Sequence, residues 1–202
     1  MNLLAHAFLA NGDPDRIVGQ LCGDFVRGSD LAAYPASIQA GIRCHRAIDS
    51  YTDQHPVNLG ARNLFESPHR RFAGITVDVI YDFFLANNWQ QFCDIPLDEY
   101  ATLVTESLHS RRGMLPHGLQ RFLELLKTEN TLLRNLDRSH IELTLERISQ
   151  RRKSLAPLAT VAVPMWQHEA ALKVAFDGFF PQLVSYTRSY QNKSVSGSHS
   201  GG

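Results

Sequence analysis

Apolar and polar positions along the chain recur with a period near 3.6 residues in almost every segment, which is typical of amphipathic α-helices. Stretches that alternate apolar and polar residues, as half-buried β-strands do, are scarce. Clusters of Gly, Pro and small polar residues interrupt the helical pattern, for example at 11–15, 66–69 and 111–118. The sequence therefore predicts an all-α fold, a single compact domain of about eight helices.

The segment 70–89 is apolar nearly all round, which predicts a helix in the core. Its exceptions are Asp78 and Asp82, which lie one helical turn apart on a line that Arg71 also joins. Two buried carboxylates repel each other unless one holds a proton or both face positive charge. Either arrangement would mark a functional site.

A second helix, around residues 36–54, carries ionisable groups on its apolar stripe. At about 100° per residue, Ile42, His45, Asp49 and Thr52 all fall within about 40° of Ile38. Burial of a polar group without a hydrogen-bond partner costs about 2–7 kcal/mol, and burial of an unpaired carboxylate costs more. The acid on this stripe therefore implies a partner, which could be a metal, a cation or a substrate group.

Two further polar residues lie on apolar faces. His6 falls between leucines in the first segment, and Asp24 lies beside apolar residues of the second. Each has a plain alternative, since His6 could be a hydrogen-bonded core residue and Asp24 could cap a helix or pair with Arg27. The inward acids of the other two helices could likewise form buried bridges to arginines such as Arg43, Arg70 or Arg71.

Composition narrows the class of protein. Of 202 residues, 44% are hydrophobic, which is ordinary for a globular protein. The sequence contains no apolar run of about 18 residues that could cross a bilayer, so no membrane partner is expected. The 20 basic and 20 acidic residues balance, so no global field attracts nucleic acid. Cys22, Cys44 and Cys93 are odd in number and lack CxxC spacing, and the start lacks a signal peptide, which together favour reduced thiols and a cytoplasmic location.

The end of the chain differs from the rest. Residues 191–202 are small, polar and rich in Ser and Gly, which predicts a disordered tail or a remnant of the expression vector. The sequence therefore places the folded domain at residues 1–190.

The inward acids and imidazoles have a joint chemical meaning. One or two His with several Asp and no thiolate suit Mg²⁺ or Mn²⁺ better than structural zinc, and imidazole shifts the preference toward manganese. Such an ion polarises a phosphoryl group and lowers the pKa of a bound water, so metal-assisted hydrolysis of a phosphate ester is expected. Nearby arginines could hold the remaining phosphate charge.

Five segments resemble a known family in order and position: "MNLLAHAFLA", "GQLCGDFVRG", "GIRCHRAIDSYTDQHP", "RRFAGITVDVIYDFFLANNW" and "FFPQLVSY". They are similar to acyl carrier protein phosphodiesterases, which are distantly related to HD phosphohydrolases. The resemblance spans nearly the whole folded chain and is most specific at 41–56 and 70–89. It implies an HD-domain-like helical core and hydrolysis of the bond between 4′-phosphopantetheine and a serine of holo acyl carrier protein, with Mn²⁺ preferred. The contiguous His-Asp pair that names the HD superfamily is absent here.

The resemblance also assigns roles to the inward residues. His6, Asp24, His45 and Asp78 are expected as metal ligands, and Asp24, Asp49 and Asp82 as catalytic residues, with Asp49 orienting the imidazole or accepting a proton from the attacking water and Asp82 supporting. For docking of the acidic carrier protein, the candidates are Arg27, Arg43, Arg46, Arg70 and Arg71.

Two other functions stay open at this point. One is a related metal phosphohydrolase that acts on a nucleotide such as a guanosine polyphosphate, with Tyr51, Tyr81 or Trp89 stacking on the base. The other is a non-catalytic helical module that binds carrier protein, with its inward acids bridged to arginine. Oligomeric state and the number of metal ions do not follow from the sequence.

Overall fold

A computed structural model describes residues 2–29 and 31–197, with side chains to residue 193. Over that part of the chain the fold is helical, as predicted, and contains no strand. Its α-helices are α1 (Leu3–Leu9), α2 (Pro14–Cys22), α3 (Ala36–Gln54), α4 (Pro56–Arg62), α5 (Ala73–Asn87), α6 (Leu97–Ser110), α7 (His117–Glu129), α8 (Arg138–Ser149), α9 (Ala162–Gln167) and α10 (Glu169–Gly197). Short 3₁₀ helices lie at Arg70–Phe72, Trp89–Gln91, Arg112–Met114, Leu133–Leu136 and Lys153–Thr160.

Local sequence signals start several of these helices. Asp13 caps α2 by accepting a hydrogen bond from the Arg16 backbone N–H at 2.9 Å, and Pro14 occupies the first turn. A proline stands directly before α3, α6 and α7, where its fixed φ suits the approach to a helix. The α7 helix ends at Asn130, which adopts a left-handed conformation with φ of 47°.

Glycines bring α2 and α3 into close contact. A Cβ atom on Gly19 would lie 2.3 Å from the carbonyl oxygen of Ile38 and 2.7 Å from the Cα of Gly41. Only hydrogen fits at this crossing, so the two backbones approach more closely than side chains would allow. This contact fixes how the end of α2 faces the middle of α3.

The α1 helix is held in place by a carboxylate that is remote in sequence. Asp82 on α5 accepts hydrogen bonds from the backbone N–H groups of Leu4 at 2.8 Å and Ala5 at 3.0 Å. These donors are among the first N–H groups of a helix, which have no partner within it. Asp82 thus caps α1 and joins it to the core helix α5.

The segment predicted as one helix over 70–89 contains three pieces. A 3₁₀ turn at Arg70–Phe72 precedes α5, and a second turn follows it. Arg71 therefore does not continue the line of α5 that carries Asp78 and Asp82, and its side chain is exposed. The core character predicted for this segment is confirmed, because α5 is buried along most of its length.

The C-terminal helix covers α3, α4 and α5. Phe176, Phe179 and Phe180 are fully buried, as expected for core packing, and Tyr186 stacks on Tyr51 at 4.2 Å between ring centroids. The helix continues past the boundary that the sequence places at residue 190. Gln191 anchors it by donating a hydrogen bond to the carbonyl oxygen of Leu9 at 2.9 Å. Residues 198–202 of the predicted tail lie outside the described part.

No helix in the described part of the chain combines the length and the apolar character that a membrane span requires.

Candidate metal centre

Two histidines and an aspartate from α1 and α3 meet below the surface. The imidazole rings of His6 and His45 stack with centroids 4.0 Å apart and planes inclined by 23°. Asp49 faces both, with Oδ1 3.1 Å from Nε2 of His6 and Oδ2 3.0 Å from Nε2 of His45. One possible ligand atom from each of these three side chains lies within 4.8 Å of the others. We call His6, His45 and Asp49 the His-Asp cluster.

The local fold explains why this cluster forms. The stripe predicted on α3 is observed: Ile38, Ile42 and Thr52 are buried, and His45 is 3% exposed. Asp49 lies at the edge of the stripe, and 39% of its side chain is exposed. His45 and Asp49 thus share one face of α3, where His45 points into the protein and Asp49 reaches solvent.

Hydrogen bonds and burial set the protonation of the cluster. Burial, together with the charge of His45, lowers the pKa of His6 to about 4, so this ring is neutral near pH 7. Burial alone would also lower the pKa of His45, but its hydrogen bonds to Asp24 and Asp49 raise it to about 9. Burial opposes ionisation of Asp49 too, yet the hydrogen bonds from both imidazoles hold its pKa well below the ordinary value.

The protonation of His6 provides a test of whether a metal fits. Oε1 of Gln20 lies 3.0 Å from Nδ1 of His6, and Oδ1 of Asp49 lies 3.1 Å from Nε2. A neutral imidazole has one N–H, so it can donate to only one of these oxygens. A cation between Nε2 and Asp49 would satisfy the second contact. The His-Asp cluster therefore has the donor types and the spacing to hold a divalent ion.

Asp24 stands at the mouth of the cluster. It lies in the turn after α2, and its Oδ1 is 3.5 Å from Nε2 of His45. Its side chain is 57% exposed. Partial burial would raise the pKa of Asp24, but the hydrogen bond with His45 and the neighbouring imidazoles hold it below the ordinary value. Asp24 is thus an ionised carboxylate between the cluster and solvent.

Asp78 lies on α5 and interacts electrostatically with Asp49. Burial raises the pKa of Asp78, and the negative charge of Asp49 adds to the rise. The three-residue group within 4.8 Å does not include Asp78. Asp82, the other acid of α5 with an assigned role, accepts hydrogen bonds from the backbone of α1, and burial raises its pKa to about 7.

An arginine-lined cleft of about 380 Å³ opens beside Asp78. Arg70 and Arg71 line it, together with Arg62 and Asp53, which form an ion pair at 2.6 Å. Gly74 forms part of the wall, and a Cβ atom there would lie 3.3 Å from the guanidinium carbon of Arg62. We call this feature the arginine cleft.

The other arginines expected at the docking surface belong to a different region. Arg46 donates to the carbonyl oxygen of Val26 at 3.1 Å, and Arg43 donates to Gln39 on its own helix at 3.0 Å. Arg27 is exposed in the segment that joins α2 to α3. These three lie along α2 and α3, and Arg70 and Arg71 lie before α5.

Comparisons with known proteins identify the family. The family model for acyl carrier protein phosphodiesterase matches residues 1–183. The chain belongs to this family. A relative named acyl carrier protein phosphodiesterase from Escherichia coli O157:H7 (strain EC4115 / EHEC) is 36% identical over 189 residues, which cover 92% of this chain and 96% of the relative. One with the same name from Photorhabdus laumondii is 35% identical over 190 residues, covering 91% and 93%.

No solved structure matches the chain. The family match confirms the predicted acyl carrier protein phosphodiesterase family, and the helices of the structure confirm the predicted all-α fold. The HD-like character of the core stays a prediction.

Sequence reasoning missed three residues of this site. Gln20 carried a readable signal, because it falls on the same apolar stripe of α2 as Ile17 and Leu21. Gly23 carried none: a Cβ atom there would lie 2.2 Å from the ring of His45, and that contact exists only in three dimensions. Arg62 lies between the two helical segments that sequence reasoning singled out, 36–54 and 70–89, and it enters the arginine cleft through the packing of α4 on α5.

The aromatic residues considered for base stacking are engaged elsewhere. Tyr81 and Trp89 are buried, at 0% and 4% exposure. Tyr51 stacks against Tyr186. The structure therefore provides no specific support for nucleotide recognition by these three rings.

Proposed function

We propose that this protein is a metal-dependent phosphodiesterase that hydrolyses the bond between 4′-phosphopantetheine and a serine of holo acyl carrier protein, releasing apo carrier protein and 4′-phosphopantetheine. The observation that carries the proposal is the convergence of His6, His45 and Asp49 within 4.8 Å in a chain of the acyl carrier protein phosphodiesterase family. The three free cysteines support a cytoplasmic location.

His6, His45 and Asp49 would hold the ion, for which we propose Mn²⁺, with Mg²⁺ as the other oxygen-preferring candidate. When bound, a divalent ion supplies Lewis acidity toward the phosphoryl group and toward water. Asp24 lies 3.5 Å from Nε2 of His45, and Asp78 interacts electrostatically with Asp49, so we propose these two acids as further ligands of the ion.

Asp24 is placed to move a proton. It is ionised, reaches solvent and lies 3.5 Å from Nε2 of His45, so it can accept a proton from the attacking water beside the proposed ion. A bond then forms between the water oxygen and phosphorus, and the bond between phosphorus and the serine oxygen breaks. The serine oxygen takes up a proton as it leaves, which completes the balance of the hydrolysis.

The arginine cleft supplies positive charge beside Asp78. Arg62, Arg70 and Arg71 can neutralise oxyanions of the substrate, and guanidinium groups suit phosphate and carboxylate geometry. Arg27, Arg43 and Arg46 form a second basic region along α2 and α3. We propose that the acidic carrier protein contacts both regions while its prosthetic group reaches the His-Asp cluster.

Two observations favour an enzyme over a non-catalytic module. The inward acids Asp24 and Asp49 meet imidazoles, whereas the module would bridge them to arginine. The imidazoles stack at 4.0 Å with their Nε2 atoms directed at one carboxylate, and this arrangement supports the proposal that the three side chains bind one ion.

Incubation of holo carrier protein with the protein and Mn²⁺, followed by intact mass measurement, tests the function. We expect loss of the phosphopantetheine mass from the carrier protein and no loss after chelation of the metal. Parallel incubation with guanosine polyphosphates tests the nucleotide alternative through released phosphate or pyrophosphate. Unchanged carrier protein in the presence of Mn²⁺ would overturn the proposal.

A further inference from the structure

Gln20 is a buried polar residue that contacts the His-Asp cluster from behind. It lies on α2 with no exposed surface, and its Oε1 is 3.0 Å from Nδ1 of His6. Burial of an amide whose polar atoms lack hydrogen bonds costs about 1–3 kcal/mol in proteins, because these atoms lose their contacts with water. Its position is rigid, since the adjacent Gly19 packs directly against Gly41 of α3.

The two nitrogens of His6 face in opposite directions, and each meets an oxygen. Nδ1 points to Gln20, and Nε2 points to Oδ1 of Asp49 at 3.1 Å. Amide and carboxylate oxygens only accept hydrogen bonds, and an imidazole that binds an ion through one nitrogen keeps a single N–H, so a ligating His6 can donate to only one of them. The choice decides which nitrogen offers a lone pair to a ligand.

We propose that Gln20 is a positioning residue that, when the ion binds, holds the proton of His6 on Nδ1 and so leaves Nε2 available to the metal. The inference rests on the proposed metal-dependent function. An amide suits the task because its oxygen accepts from Nδ1–H without adding a negative charge to a cluster that already contains Asp49 and Asp24. Partners of this kind fix the tautomer and orientation of ligating histidines and tune metal affinity.

The first experiment compares Gln20→Leu with Gln20→Glu by calorimetric titration with Mn²⁺. Leucine has a similar volume and no acceptor, so we expect Mn²⁺ affinity to fall by about 10–100-fold, the range typical for such partners. Glutamate keeps an oxygen acceptor for Nδ1–H, and we expect affinity to recover to within about fivefold of the wild type.

Gln191→Leu is the matched control. Gln191 also joins a side-chain amide to α1, through the carbonyl oxygen of Leu9, but it contacts neither histidine. We expect this variant to lose some thermal stability and to bind Mn²⁺ like the wild type. An equal loss of Mn²⁺ affinity in Gln191→Leu and Gln20→Leu would overturn the proposal, because a displaced α1 would then explain the loss in both variants.

The second experiment observes the tautomer directly by ¹⁵N NMR of His6 with Zn²⁺ bound, since this d¹⁰ ion does not broaden the signals. We expect the proton on Nδ1 in the wild type. A proton on Nε2 would overturn the inference, and this measurement does not depend on whether Gln20→Leu folds. Failure of the wild type to bind Mn²⁺ at all would instead refute the proposed function.

Discussion

His45 on α3 and His140 on α8 are both buried, at 3% and 1% exposure, yet their surroundings give them opposite character. Burial lowers the pKa of His140, and the charges of Arg134 and Arg147 lower it further. Burial also acts against the charged form of His45, but two carboxylates overcome it and raise the pKa to about 9. A buried histidine beside arginines is therefore neutral, whereas a buried histidine that contacts two carboxylates is held in its charged form.

The same contrast extends to the neighbouring residues. Around His140, Arg147 turns outward and pairs with Glu129 at 2.9 Å on the surface. Around His45, the acids turn inward and a second imidazole stacks against the ring. Among the residues that the structure describes, His6, His45 and Asp49 form the one group of three His, Cys, Asp or Glu side chains with metal-ligand spacing.

The largest expected difference in activity is between a variant of Asp49, beside His45, and a variant of His140. We expect Asp49→Asn to reduce turnover of holo carrier protein by about 1000-fold and to abolish measurable Mn²⁺ binding, because both imidazoles lose their shared carboxylate. We expect His140→Gln to change turnover by less than about twofold and to lower the melting temperature. If Asp49→Asn kept activity within tenfold of the wild type, the cluster would not be the catalytic site.

Gly23→Ala should damage the cluster without removing any of its groups. The new methyl group would lie 2.2 Å from the imidazole of His45, so the ring must move. We expect about a 10–100-fold loss of turnover, as for other misplaced catalytic groups. Gly60→Ala is the control, because nothing lies within 4 Å of its Cβ position on α4, and alanine there should keep full activity. Equal activity in both variants would show that His45 tolerates displacement.

Metal affinity should rise with pH. The proton that His45 holds up to a pKa of about 9 must leave before Nε2 can bind an ion, whereas His6 is already neutral. Competition with one proton predicts up to about a tenfold gain in Mn²⁺ affinity per pH unit between about 6.5 and 9. Calorimetry in buffers of different protonation enthalpy would measure the released proton. A pH-independent affinity would exclude His45 as a ligand.

Loss of a cleft arginine should have a smaller effect, mainly on substrate binding. We expect Arg62→Gln to raise the KM for carrier protein by about three- to tenfold, with little change in kcat and a larger effect at low salt. Arg121→Gln removes the same charge from an exposed position on α7 and should leave KM unchanged. Equal KM values for the two variants would remove Arg62 from the docking surface.

The smallest expected effect is on the stability of the metal-free protein. The pKa of His45 rises from 6.5 to about 9 on folding, so protonation of His45 stabilises the fold fully below pH 6.5. This contribution is lost as the pH rises toward 9, and we expect the melting temperature to fall by a few degrees across that range. The decline should be weaker in His45→Gln. An identical decline in both proteins would assign it to other groups.

Periodicity alone predicted the helical fold, the buried stripe of α3 and the core character of α5, because each depends on spacing along one helix. It also placed His45 and Asp49 on the same face. The sequence missed the break between Arg71 and α5, since a 3₁₀ turn and an α-helix differ little in their apolar pattern. The domain boundary at residue 190 stays a prediction, and the contact of Gln191 with α1, at the other end of the chain, has no signal in the periodicity.

What the sequence determined by itself is the set of inward-facing polar residues and the family to which the chain belongs, since both are properties of residue order. Tertiary structure decided how those residues divide the work. Asp49 faces two imidazoles from different helices and Asp82 caps α1, while Gln20, which sequence reasoning did not single out, faces Nδ1 of His6. These contacts join α1 to α2, α3 and α5, and the close crossing of α2 and α3 at Gly19 and Gly41 is a further contact of this kind. Distances between helices are set by packing, which no periodicity along a single helix contains.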